Sequence, residues 1–179
     1  MYTQDEIIKA HGPYQAPEHF HAEWIQNSIE RITIFPMQLQ AFFSSIGPDH
    51  EMAQYRPDSW TFRQIVHHLA DSHMQAFCRF KLALTEEHPT IKPYSQNAWA
   101  ASADSQNVPL QSSIDIIKAV HFRWVALISS MSIEDHAKGF YHPEIQRDMS
   151  LGFVLGLYAW HGTHHLTQME RYALNQGWL

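Results

Sequence analysis

The chain has 179 residues, of which 45% are hydrophobic and 13% aromatic, and its formal net charge is −6 with neutral histidines. This length allows one buried core and requires no second domain, and the acidic balance argues against a nucleic-acid-binding protein, which normally presents a basic surface. The single cysteine, Cys78, excludes an internal disulfide and a cysteine-based zinc site, so any metal must be held by histidine and carboxylate.

The first residues do not have the pattern of a targeting segment. Asp5, Glu6 and Lys9 place charges in a stretch that lacks the basic start and apolar run of a secretory signal. No later run approaches the roughly 18 uninterrupted apolar residues of a membrane span. We therefore expect a cytoplasmic protein with no membrane or nucleic-acid partner, in which residues 1–20 are an N-terminal extension and residues 21–179 form a single domain.

The first predicted helix runs from about Glu18 to Ile46, because its apolar residues recur at spacings of three and four. These residues are Ile25, Ile29, Ile32, Leu39, Phe42, Phe43 and Ile46. Pro36 lies inside the pattern and predicts either a bend or two helices nearly in line. The turn residues Gly47 and Pro48 are expected to end this segment.

A capping box opens the second predicted helix: the Thr61 side chain accepts from the Gln64 amide, and the Gln64 side chain reaches back. The helix is expected to run to about Thr85. A polar ridge borders its apolar arc at positions i, i+4, i+7 and i+11. The ridge consists of His68, Ser72, Gln75 and Arg79. Because the ridge lies beside the core-facing arc, a lined cavity is expected there.

The second half of the chain predicts two more long helices. Residues 88–109 are rich in proline and small polar residues, which predicts a long connection with one short helical turn near Trp99. A third helix is expected from about Leu110 to Met131, and residues 139–147 are expected to be extended or hairpin-like. Ser150 is expected to cap a last helix that runs to about Asn175. Four main helices without a convincing sheet predict an all-α four-helix bundle with a long connection between helices 2 and 3.

Two histidines of the last predicted helix share one face. His161 and His165 are four residues apart, a spacing that lets two imidazoles reach one metal. In the second helix His68 borders the apolar arc, whereas the adjacent His67 falls on the outer side, about 100° away. The same rotation makes His164 a neighbour of the site rather than part of it. Helical phase therefore favours His68 as the third ligand.

Three neutral imidazoles that leave a coordination position open are a catalytic type of metal site. Such a metal lowers the pKa of a bound water or thiol and polarises a carbonyl group. We expect one divalent metal per chain, with zinc as the leading candidate and nickel, iron or manganese as alternatives. The reacting group is then metal-bound water or thiolate, and Tyr158, Arg79 and Gln75 are candidate lining residues.

A structural role is the alternative for each of these histidines. An i, i+4 pair on an apolar face is also typical of hydrogen-bonded core residues. His73 and His121 lie in apolar stripes, and we predict that both are structural.

Five separated segments of the chain carry a family pattern. They are Trp60–His73, Arg79–Glu86, Ile91–Tyr94, Phe140–Glu144 and Leu155–His161. In this order they closely resemble the YfiT-like metal-dependent hydrolases of the DinB superfamily, and the resemblance extends from about Trp24 to Trp178. It implies a DinB-like four-helix bundle, usually a homodimer, with one zinc or nickel ion held by three histidines from two helices. Carried onto this sequence, the implied ligands are His68, His161 and His165.

Three functions remain open. The first is a metal-dependent hydrolase, in which the metal activates water for attack on a small-molecule substrate. The second is a metal-dependent thiol S-transferase, implied by superfamily relatives that use bacillithiol, mycothiol or glutathione. The third is a non-catalytic metal- or stress-responsive binding protein. The first two need the same ligands and the same open position, so the sequence does not separate them.

Overall fold

Four long helices and three short ones carry most of the chain in the computed structural model, which describes residues 1–179. In chain order the helices are α1 (Gln4–Lys9), α2 (Ala22–Ile46), α3 (Phe62–Thr85), α4 (Gln96–Ala100), α5 (Ala103–Asn107), α6 (Gln111–Ser129) and α7 (Leu151–Gln176). Strands β1 (Gly139–His142) and β2 (Arg147–Ser150) form an antiparallel hairpin before α7. Short 3₁₀ helices lie at Pro48–His50 and Glu134–Ala137. None of the helices combines the length and apolarity needed to cross a membrane.

The four long helices form the predicted bundle. Helix α2 packs against α6 and α7, and α3 packs against the same two helices. Two apolar clusters fill the interior. One contains Leu39, Phe62, Leu69, Ile114 and Met169, and the other contains Ile32, Phe80, Trp124, Leu151 and Leu155. The all-α fold class is therefore confirmed.

A layer of buried histidines lies between the two apolar clusters. On α3, His73 stands between Leu69 of the first cluster and Ala76 of the second. On α6, His121 is placed in the same way between Ile117 and Trp124. Imidazoles are rarely enclosed in this way without hydrogen-bonding partners, so the layer must satisfy its own donors and acceptors.

Helix α2 is a single helix, so the alternative of two helices in line is wrong. It begins at Ala22 rather than near Glu18 and runs through Pro36 to Ile46. Proline has no N–H, and Pro36 therefore cannot donate to the Ile32 carbonyl one turn earlier. Burial of Ile32, Phe35 and Leu39 around the proline outweighs the missing bond.

Other local predictions are confirmed with small differences. Thr61 and Gln64 form the predicted capping box of α3. The long connection contains two short helices, α4 and α5, where one helical turn was predicted near Trp99. The hairpin predicted near residues 139–147 is present, and Ser150 caps α7 through the backbone N–H of Phe153.

The N-terminal residues lie along α7. Helix α1 starts with a capping box between Thr3 and Glu6, a pattern that is visible in the sequence and that sequence reasoning missed. Ile7 is buried in the first apolar cluster. The guanidinium of Arg171 donates to the carbonyls of Glu6 and Ala10 at 2.7 and 3.1 Å. These contacts hold the segment against the helix that carries two of the predicted ligands.

Gly156 marks a close approach on α7. A Cβ at this position would overlap the Trp24 indole and the Tyr14 hydroxyl. Gly156→Ala is therefore expected to lower the free energy of unfolding by about 1–3 kcal/mol, although alanine is the better helix former. Denaturant unfolding measures this change. Gln176→Ala, at the exposed end of the same helix, is the control and should stay within about 0.5 kcal/mol of wild type; an unchanged Gly156→Ala would contradict the contact.

Candidate metal centre

Three histidines from two helices converge inside the bundle. His68 comes from α3, and His161 and His165 come from successive turns of α7. One ring nitrogen from each lies within 4.8 Å of the others. The Nε2 atoms of His68 and His161 are 3.2 Å apart. The structure thus brings together the three residues selected by helical phase, in an arrangement that places three nitrogen donors around one point.

The ring of His165 is oriented by a glutamine. The Nδ1 atom of His165 lies 3.0 Å from Oε1 of Gln168, one turn further along α7. The Gln168 amide has a defined orientation, because its Nε2 donates to the Ile8 carbonyl at 2.7 Å and a carbonyl only accepts. Oε1 must then accept from Nδ1–H of His165. The lone pair of the imidazole is left on Nε2, the nitrogen available to a metal.

The rings of His161 and His68 are also held by neighbours. Nδ1 of His161 lies 3.3 Å from Nε2 of His73, and the ring of Trp60 packs on His68 with centroids 4.8 Å apart. His73 in turn contacts His121 at 2.8 Å. Both residues are buried and hydrogen-bonded, as the predicted structural role requires, and His73 also touches a candidate ligand.

Burial keeps the three imidazoles neutral near neutral pH. It lowers the pKa of His68 to about 4 and is the largest cause that lowers the pKa of His165 to about 3. Burial, followed by the repulsion that a protonated His165 would exert, lowers the pKa of His161 well below its ordinary value. A histidine must be neutral to ligate a metal, so little proton competition opposes binding here. Three neutral nitrogen donors suit Zn²⁺ or another borderline divalent ion.

The neighbouring histidines have other surroundings. His67 was predicted on the outer side of α3, and this prediction is wrong because residues 108–113 cover that side. Its Nε2 bonds to the Val108 carbonyl at 3.0 Å and its Nδ1 to the Ser113 hydroxyl at 2.7 Å. His164 flanks the site as predicted, stacked on Trp160 with ring centroids 4.5 Å apart.

Of the candidate lining residues, Tyr158 lies beside His161. Its ring centroid is 5.7 Å from that of His161, and its hydroxyl accepts from Ser72 at 3.2 Å. Burial raises the pKa of Tyr158, while Ser72 and Arg79 oppose the shift. The phenol is thus a neutral group that keeps its own proton for donation.

Arg79 is a buried cation without a charged partner. Only 9% of it is exposed, its Nε atom has no hydrogen-bond partner, and it forms no ion pair. The guanidinium lies 5.9 Å from the centre of the Phe140 ring. The Tyr94 hydroxyl is also buried and has no hydrogen-bond partner. The Gln75 side chain is half-buried. An unpaired buried cation is costly, which favours a role in binding a negatively charged or strongly polar group.

A cleft of about 250 Å³ opens beside His165. Its lining residues are Tyr55, Arg56, Asp58, Ser59, Trp60, Ile65, Asn97 and His165. Sequence reasoning missed the loop before α3 and Asn97 on α4, because a polar turn gives no periodic signal that places it beside a helix. Asp58 is the only carboxylate among the lining residues and adopts a left-handed backbone conformation with φ of 59°.

Known proteins resemble this chain along nearly its whole length. The family profile of the DinB superfamily matches residues 31–169, which include all three converging histidines. The Bacillus subtilis protein named "Putative metal-dependent hydrolase YfiT" is 36% identical over 167 residues, 93% of this chain and 94% of that protein. A similarly named protein of Oceanobacillus iheyensis is 42% identical over 156 residues, 87% of each chain. The solved structure of YfiT, described as a four-helix bundle with an unusual topology, superposes with a TM-score of 0.92 at 35% identity, covering 97% of this chain and 99% of that one.

Proposed function

This chain belongs to the DinB superfamily, and on that basis we propose that it is a metal-dependent hydrolase of small molecules. His68, His161 and His165 would hold one divalent metal, with zinc as the first candidate and nickel as the second. The observation that carries the proposal is the convergence of three neutral imidazoles next to an open cleft. Two of these rings already turn Nδ1 towards a protein partner, which leaves Nε2 for the metal.

A divalent metal held by His68, His161 and His165 would supply Lewis acidity for activating water and polarising the substrate. The protein supplies the surrounding groups. Tyr158 is proposed to donate its phenol proton to a substrate oxygen, because its ring lies beside His161 and its hydroxyl accepts from Ser72. Asp58 is the candidate acceptor for the proton of the attacking water, as the only carboxylate that lines the cleft. Gln75, which is half-buried, and Arg79 lie on the same polar ridge of α3 as His68. Both are proposed to bind the polar part of the substrate.

An activity assay separates hydrolysis from the other two functions. Zinc-loaded protein is expected to hydrolyse members of a panel of small esters and amides without added thiol, and His68→Ala should remove the activity. Asp58→Asn is expected to lower kcat by about 100-fold or more while zinc content stays unchanged, because general-base catalysis contributes about 10²–10⁴-fold. The rates are measured with and without bacillithiol, mycothiol or glutathione and a test electrophile.

The same assay contradicts the proposal in two ways. If turnover appears only when a low-molecular-weight thiol and an electrophile are both present, the protein is a thiol S-transferase. If neither reaction occurs while zinc remains bound, a non-catalytic metal-binding role replaces both. The homodimer and the cytoplasmic location stay predictions, and light scattering of the purified protein tests the first of them.

A further inference from the structure

In the interior of α2, one backbone carbonyl lacks the N–H donor that its own helix normally supplies. The Ile32 carbonyl faces the position where the next turn normally supplies an N–H, and that position is Pro36. Nδ1 of His121, on α6, lies 2.6 Å from this carbonyl oxygen. The proline thus leaves an acceptor free in the core, and a buried imidazole occupies it.

From this carbonyl, hydrogen bonds run through the histidine layer to the candidate metal centre. Nε2 of His121 is 2.8 Å from Nδ1 of His73, and Nε2 of His73 is 3.3 Å from Nδ1 of His161. Every ring nitrogen between the Ile32 carbonyl and Nδ1 of His161 is therefore within hydrogen-bonding distance of a partner.

The direction of each bond follows from the carbonyl. A carbonyl only accepts, so Nδ1 of His121 must carry its proton, and the neutral ring then accepts on Nε2. His73 must donate to it from Nδ1 and is left to accept on Nε2. His161 must donate from Nδ1, which leaves the lone pair on its Nε2. Only one set of tautomers satisfies all three bonds.

We propose that His121 and His73 are positioning residues that fix His161 as the Nδ1–H tautomer and so keep its Nε2 lone pair available to the metal. The inference rests on the proposed metal site and goes beyond it, because neither residue is one of the three converging histidines. With His161 in the other tautomer, Nδ1 could no longer donate and Nε2 would carry a proton where a lone pair is needed. The other tautomers would leave a buried donor or acceptor unsatisfied, and this cost holds the three hydrogen-bonded rings in one arrangement.

Packing holds the rings in the orientation that these bonds need. His73 and His121 stack with centroids 4.9 Å apart and an interplanar angle of 17°, and Phe35 stacks on His73 at the same angle. His73 is 1% exposed and His121 is 2% exposed, so both rings are shielded from bulk water. The orientation of His161 is therefore set by residues on α2, α3 and α6, far apart in the sequence.

The tautomers can be observed without metal and without substitution. Imidazole ¹⁵N correlation spectra of the metal-free wild-type protein should show His73, His121 and His161 each protonated on Nδ1 and unprotonated on Nε2. A spectrum in which His161 carries its proton on Nε2 would overturn the proposal. Because the measurement needs neither metal nor turnover, its result is independent of whether the hydrolase function is correct.

Two substitutions of His121 then test the consequence for metal affinity. His121→Phe fills the space but can neither accept from His73 nor donate to the carbonyl, and it should weaken zinc binding by about 10–100-fold. His121→Gln provides an amide NH2 donor and an oxygen acceptor, and should restore binding to within about threefold of wild type with His161 again protonated on Nδ1. Zinc affinity is measured by competition with a chelator, and circular dichroism confirms folding.

A matched control separates positioning from general loss of a buried histidine. His136 is 3% exposed, and its Nδ1 bonds to the Ser132 carbonyl at 2.9 Å, outside the histidine layer. His136→Phe loses a bond of the same kind and should bind zinc with wild-type affinity. The proposal is overturned if His121→Phe binds as tightly as wild type, or if His121→Gln loses as much affinity as His121→Phe. If His121→Phe does not fold, the spectra and the His121→Gln affinity still decide the question.

Discussion

Single replacement of His68, His161 or His165 by alanine is expected to remove most of the bound zinc. A four-ligand zinc site releases about 10–16 kcal/mol on binding, so one ligand accounts for about 3 kcal/mol, which is on the order of a 100-fold loss of affinity. One ring nitrogen of each histidine lies near the same point. No other histidine, cysteine or carboxylate group joins the cluster. Metal analysis after dialysis and a chelator competition titration measure the loss.

The adjacent histidines provide controls for this prediction. His67→Ala removes the bonds to Val108 and Ser113 and should lower thermal stability, but it should leave zinc content at the wild-type level. His164→Ala removes a stacking contact with Trp160 and should likewise retain zinc. Full zinc content in all three ligand variants would show that the metal lies elsewhere. Comparing metal content with stability in each variant distinguishes a ligand from a structural histidine.

Helical phase was sufficient to select the three histidines that converge, because α3 and α7 are long helices whose buried residues lie along one arc. Each side chain on such a helix has a defined angle relative to the buried arc, so His68 and the His161–His165 pair could be assigned to the interior before their helices were placed together. The same property predicted the bundle and the ends of α3 and α7, where Thr61 and Ser150 provide explicit caps.

The sequence did not predict contacts that one helix makes with segments distant from it in the chain. His67 lies away from the arc of α3, but Ser113 at the start of α6 and Val108, three residues before α6, cover it. Periodicity within one helix carries no information about such a cover. The bond between His121 and the Ile32 carbonyl is of the same kind, since it joins α6 to α2 across 89 positions. Pro36 predicted a disturbed helix, but not which side chain would use the free carbonyl.

Substitutions at Gln168 are expected to separate the orientation of a ligand from the attachment of the N-terminal segment. Gln168 is 4% exposed, accepts from His165 and donates to the Ile8 carbonyl near the end of α1. Gln168→Leu removes both bonds. It should weaken zinc binding by about 10-fold or more and lower the free energy of unfolding by about 1–3 kcal/mol, because the Ile8 carbonyl and His165 Nδ1–H both lose a partner.

Gln168→Glu breaks only one of the two bonds. Its carboxylate still accepts from Nδ1–H of His165, so zinc affinity should equal or exceed that of wild type. It cannot donate to Ile8, and the unfolding free energy should therefore fall by about 1–3 kcal/mol, as in Gln168→Leu. Chelator competition and denaturant unfolding give the two values for each variant. If both variants lose the same zinc affinity, the ring of His165 is not oriented by the hydrogen bond to residue 168. If Gln168→Glu keeps the stability of wild type, the bond to Ile8 does not hold the N-terminal helix on α7.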